Sequence, residues 1–131
     1  MNDRIILVTP PDDVYYTGLR ILLVDLAPEH TQFISDVLTR TENVPTIISY
    51  VWNTGDDVSW MLDKKEKSDL ILFNADSHNQ TIAGFLSAYS NSHYFGTLKD
   101  LHLVNNSAIY SVEQFKEIFN YTVKKYESKT I

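Results

Sequence analysis

Cysteine is absent from the 131-residue chain. That removes disulfides, thiolate nucleophiles and cysteine-ligated zinc or iron–sulfur centres together, and it suits a reducing compartment. Glycine is scarce, with four residues in all, and Gly55, Gly84 and Gly96 stand alone. No phosphate-cradling loop, dinucleotide fingerprint or serine-nucleophile elbow can be assembled from them. Positive charge is short as well: 11 Lys and Arg against 17 Asp and Glu give a net charge of −6. A surface of that sign argues against nucleic acid and anionic membranes as partners, because phosphate contacts need clustered cations. The basic group Lys64, Lys65 and Lys67 is diluted by Asp63 and Glu66 and reads as a solvated helix end whose cations suit the helix dipole. Long apolar runs are missing too. Five residues separate Arg4 from Pro10, too few for a secretory signal, and no stretch approaches the roughly 20 residues of a membrane span. The expectation is a cytoplasmic protein. Three sequons, beginning at Asn79, Asn105 and Asn120, then read as chance matches.

What is present is an apolar fraction of 44% in a length suited to one domain. Ile5-Ile6-Leu7-Val8 is a short run closed by the turn signal Thr9-Pro10-Pro11-Asp12-Asp13. Ile21-Leu22-Leu23-Val24 has no polar alternation, as expected of a parallel strand buried on both faces. Pro28 and Glu29 open a helix carrying Phe33, Ile34, Val37 and Leu38 at helical spacing. Thr46 to Trp52 is a β-branched and aromatic strand. Thr54 is a candidate cap for a short helix with Asp56 and Asp57 in its first turn and Val58, Met61 and Leu62 on its apolar face. Leu70 to Phe73 is the next strand. Ser77 or Asn79 caps a helix presenting Ile82, Phe85, Leu86 and Tyr89. Asn91 to Thr97 resists assignment, and Leu101 to Val104 reads as the last strand. Ser111 with Gln114 forms a capping box before a helix bearing Val112, Phe115, Ile118, Phe119, Val123 and Tyr126. Fraying is expected from Ser128 to Ile131.

This alternation predicts a single three-layer, doubly wound α/β domain over residues 1–131, of the flavodoxin or receiver-like kind, with a mostly parallel sheet. The first run lies too close to the second for a helical crossover. It is expected as an antiparallel edge strand or part of an irregular hairpin.

Residues 19–76 resemble a response-regulator receiver domain. Leu19-Arg20-Ile21-Leu22-Leu23-Val24-Asp25 looks like that family's first strand, which ends in acids that hold magnesium, and Pro28-Glu29 fits its first helix. Ser68-Asp69-Leu70-Ile71-Leu72-Phe73-Asn74 looks like its third strand, which ends in the phosphorylated aspartate. The chain departs from the pattern where the chemistry lies. Leu26 follows Asp25 where a second acid would stand, and Asn74 holds the phosphoacceptor position. An amide is a poor nucleophile and brings no charge to a cation. Ser107 is a loose match to the family's later hydroxyl residue, and no fifth strand ending in lysine precedes the final helix. The resemblance therefore implies a pseudo-receiver unable to be phosphorylated.

In open α/β sheets ligands bind beyond the carboxyl ends of the strands. That rule singles out Asp25, Asn74, Asp76 and His78 as ligand or metal candidates, with Trp52, Asn53, Asn105 and Asn106 nearby. Magnesium is the one cofactor such a set would admit; otherwise no cofactor is expected. His30, His93 and His102 form no metal-binding spacing with one another. Small α/β enzymes that cleave N-glycosidic bonds share this general layout, but the stretch Thr81 to Tyr89 lacks the carboxylate nucleophile they would need. No catalytic residue is assigned. The aromatics Tyr15, Tyr16, Trp60, Tyr94 and Phe95 are candidates for an interaction surface, since such side chains concentrate at binding hot spots. The reading is a non-catalytic interaction, regulatory or assembly module with a protein partner or its own copy. The alternative is a small enzyme or nucleotide- and magnesium-binding protein using the strand-end cluster. The abundance of Asn, Tyr, Ile and Lys suits an AT-rich genome, phages included.

Overall fold

A computed structural model describes residues 5–13, 17–41, 44–96 and 108–129. The strands are β1 (Ile5–Val8), β2 (Leu19–Val24), β3 (Ile47–Trp52), β4 (Leu70–Asn74) and β5 (Ser92–Phe95). The helices are α1 (Pro28–Arg40), α2 (Val58–Lys67), α3 (Gln80–Leu86) and α4 (Val112–Lys129). The strands form one sheet in the order β1-β3-β2-β4-β5, and every pairing is parallel. α1 and α4 cover one face and α2 and α3 the other, which is the expected three-layer doubly wound architecture.

β1 is the expected edge strand, but it is parallel, and it pairs with β3 rather than β2. Residues 9–18, ten in all, link it to β2, and none of the described ones among them is helical. Extended chain of that length reaches about 33 Å. The link must run back by the three residues that separate the Val8 and Leu19 levels on β3, about 10 Å, and sideways by two strand spacings, about 10 Å. A loop therefore suffices. It rests on α2: the Trp60 indole N–H donates to the Asp12 carbonyl at 2.8 Å, and Lys64 pairs with Asp13 at 2.8 Å. Gly18 lets the chain enter β2 beside Thr46, whose carbonyl oxygen would lie 2.5 Å from any Cβ placed there.

Further expectations change along the rest of the chain. Asp57, not Thr54, caps α2, accepting from Ser59 N–H at 2.9 Å. The buried face of α2 is Trp60, Met61, Lys64 and Lys65, whereas Val58 and Leu62 are 45% and 39% exposed. Lys64 and Lys65 are thus not solvated: their stems pack while their ammonium groups find carboxylates and aromatic rings. The unassigned stretch after Asn91 supplies β5, and α4 continues through Lys129 instead of fraying at Ser128. The strand expected at Leu101 to Val104 lies outside the described residues, as do His102, Asn105, Asn106 and Ser107.

Two clusters of buried side chains fill the layers. Alternate residues of β2 point to opposite faces, as a period of two requires. Leu19, Ile21 and Leu23 meet Ile34 and Val37 of α1 and Phe115 and Phe119 of α4. Leu22 and Val24 join Tyr50, Trp52, Trp60, Met61 and Leu86 on the other side. Among the described residues no helix is long and apolar enough to cross a membrane.

Candidate functional site

The chain leaves β2 for β3 on one side of the sheet, and β4 then pairs on β2's other side. The gap between the carboxyl ends of β2 and β4 is therefore the topological switch point, where such sheets bind ligands. An open depression of about 290 Å³ lies there, lined by Asp25, Asn53, Thr54, Asn74, Asp76, Ser77 and His78. All four residues singled out from the sequence, Asp25, Asn74, Asp76 and His78, share this one place.

Asp25 organises it. Its backbone adopts φ +54°, a left-handed conformation that aspartate tolerates better than most residues. Its N–H still donates to the Trp52 carbonyl at 2.9 Å, so the residue stays tied to β3. The carboxylate accepts the Thr54 backbone N–H and, at 2.7 Å, the Thr54 hydroxyl. It also accepts the Ser77 hydroxyl at 2.9 Å. One side chain thereby joins the loops that follow β2, β3 and β4. Thr54 and Ser77 carry no sequence signal for this role beyond their positions after strands.

Asn74 uses both ends of its amide. The Nδ2 group donates to the Asp25 carbonyl at 3.1 Å, and Oδ1 accepts the Asp76 N–H at 2.9 Å. An ionised aspartate could keep only the second bond, having no proton to donate. The Asp76 carboxylate packs against Gly96, whose φ is +95° and where a Cβ would lie 2.5 Å from Asp76 Oδ2. Asp76 also acts electrostatically on His30, the third residue of α1. That imidazole stacks on Phe95 with ring centres 4.5 Å apart, and its Nδ1 accepts the Ala27 N–H at 3.2 Å. Burial lowers the His30 pKa, against the opposing pull of Glu29 and Asp76.

Among the described residues no group of three or more His, Cys, Asp or Glu side chains could hold a metal ion. The depression has two carboxylates. Both lone-pair directions of Asp25 Oδ2 are taken by hydroxyls, and Oδ1 is taken in part by the Thr54 N–H. Magnesium asks for near-octahedral oxygen ligands. This donor set does not fit it without dismantling the hydrogen bonds that join the loops.

The aromatic contact surface needs correction. Trp60 and Phe95 are buried, Trp60 edge-on to Tyr50 and Phe95 beneath His30 and Phe33. Tyr94 is half-buried and packs on Phe73. Their apolar area is spent on the protein's own core. Tyr15 and Tyr16 lie outside the described residues. Among the described residues the exposed aromatics are Tyr110 and Tyr121, with Phe85 partly so. No protein-family model and no curated protein matches the chain.

Proposed function

We propose that the chain is a non-catalytic interaction or regulatory module of receiver-like build, which works by binding a protein partner or its own copy. The observation that carries this reading is the occupation of the Asp25 carboxylate by Thr54 and Ser77. A group that receives a phosphoryl transfer or holds a reacting cation must keep lone pairs free for it. Here the acid is spent on joining loops. Asn74 adds support, because its amide serves as donor and acceptor at once where an aspartate nucleophile could not. The strand order β3-β2-β4-β5 suits the receiver resemblance, with β1 added outside β3.

The test is thermal unfolding and intact mass after incubation with magnesium and either beryllofluoride or acetyl phosphate. The reading expects no mass increment and no change in midpoint. Asp25→Asn should cost about 1–2 kcal/mol with or without these additives, as a lost charge-assisted hydrogen-bond acceptor would. A magnesium-dependent rise in midpoint that disappears in Asp25→Asn would overturn the reading and favour the small enzyme or nucleotide-binding protein.

A further inference from the structure

A second cavity, of about 370 Å³, lies at the other end of the sheet, between the amino-terminal ends of β4 and β5 and the last turns of α4. Its chemistry reverses that of the chain as a whole. The protein carries a net charge of −6, yet this cavity is lined by Lys125, Lys129 and His93 against the single carboxylate of Asp69. Asp69 is already engaged, accepting the Arg20 N–H at 2.9 Å and lying 3.8 Å from Lys129. No carboxylate among the described residues forms an ion pair with Lys125. The carboxyl end of a helix contributes roughly half a negative charge. Two full lysine charges outweigh that half charge and Asp69 combined.

Tyr121, Lys125 and Lys129 follow one another at intervals of four residues, so they form a column on one side of α4. Successive members are separated by about 6 Å along the axis. An aromatic face, 68% exposed at Tyr121, is thus followed at fixed distances by two cations. We propose that this cavity binds a small phosphorylated ligand with a planar base, of mononucleotide size. The phosphate lies between Lys125 and Lys129, and the base lies against the Tyr121 ring. The volume sits at the small end of the range for ligand pockets, about 300–1,000 Å³, which admits one base and one sugar but not a dinucleotide. Asn91, held to the Ser68 carbonyl at 3.2 Å, fixes the wall opposite α4. The site is separate from the strand-end depression and does not depend on the function proposed above.

Titration calorimetry of the whole chain at low salt with adenosine 5′-monophosphate tests it, with inorganic phosphate and adenosine as separate arms. Saturable binding of the monophosphate is expected, weaker binding of phosphate, and none of adenosine. Lys125→Gln should weaken the monophosphate at least tenfold and Tyr121→Ala severalfold. Both side chains are exposed, so the melting midpoint of the unliganded protein should not move. Asp25→Asn should leave the binding unchanged. No saturable heat at millimolar monophosphate would overturn the proposal, as would binding indifferent to Lys125→Gln and Lys129→Gln. Phosphate binding as tightly as the monophosphate, with no effect of Tyr121→Ala, would overturn it as a nucleotide site.

Discussion

The two faces of the sheet are closed by different chemistry. Against α1 and α4 the contacts are mainly apolar, and no charge is buried among the described residues. Phe33 meets Phe95 edge-on at 5.7 Å and Phe115 at 5.8 Å, aliphatic side chains of β2 and β4 complete the layer, and the buried Thr122 hydroxyl is satisfied within α4 by the Ile118 carbonyl. Against α2 the same sheet buries an ammonium group. Lys64 is 1% exposed, with Nζ 5.4 Å from the Tyr50 ring centre and 5.6 Å from that of Trp60. Arg20 approaches the Tyr50 ring as well and donates to the Tyr50 hydroxyl. A buried cation is tolerated only when paired, and Lys64 takes Asp13 and Asp63. Burial pulls its pKa down, but the hydrogen bonds it donates to Asp13 and Asp63 outweigh that and hold it above the ordinary lysine value. Asp13 belongs to the link between β1 and β2. The apolar face is therefore self-contained, whereas the polar face is complete only when the N-terminal link lies across α2.

The largest effect should come from the apolar face. Phe119 is fully buried there, and nothing polar or solvated can take its place. Phe119→Ala should cost about 3–5 kcal/mol, the range for truncating a core phenylalanine, measured by urea unfolding. A loss under 1 kcal/mol would mean that α4 packs loosely, and the contrast between faces would fail.

Lys64 gives a smaller effect and a sharper test. Lys64→Met keeps most of the stem volume and removes the cost of burying a charge, so a change within about 1 kcal/mol is expected. Asp13→Asn should cost about 1–2 kcal/mol in the natural protein, because it weakens a charge-assisted bond, and close to nothing in the Lys64→Met background. That non-additivity is what a double-mutant cycle reads. Equal costs in both backgrounds would show that the Asp13 carboxylate stabilises the link through a contact other than the buried lysine.

The same contrast explains what could be read from the sequence. β2, β3 and β4 are made chiefly of apolar and β-branched residues, and the Phe115, Ile118, Phe119 periodicity of α4 admits one face. Both follow from burial by apolar side chains alone. The α2 face was not legible because Lys64 and Lys65 count as polar until their partners are known, and Asp13 is 51 residues away. β5 was missed for a related reason. Ser92 is fully buried, with its hydroxyl satisfied by the Leu86 and Tyr89 carbonyls at 2.6 and 2.8 Å, so no apolar run marks the strand. At the strand ends Asp25, Asn74, Asp76 and His78 were legible, because a parallel sheet with one switch point converges its carboxyl ends. The parts of Thr54 and Ser77 were not, since they depend on the left-handed turn at Asp25. Aromatic count alone did not say which side of the surface Trp60 and Phe95 would take.

The smallest expected effect links the apolar face to pH. His30 sits at the margin of that face, on Phe95, and accepts the Ala27 N–H through Nδ1. Only an unprotonated nitrogen can accept. Burial lowers its folded-state pKa despite Glu29 and Asp76, so the unfolded chain binds the proton more readily. Stability from neutral His30 is present above the unfolded value, about 6.5, and is lost as pH falls through the folded one. Urea midpoints taken between pH 7.5 and 5.5 should therefore fall more steeply in the natural protein than in His30→Gln. Glutamine at this third helical position can still accept the backbone N–H but does not titrate. The other histidines contribute equally to both proteins, so the difference in slope isolates His30. Parallel slopes would mean that the imidazole is as easily protonated in the folded state as in water, and that the apolar face ends short of it.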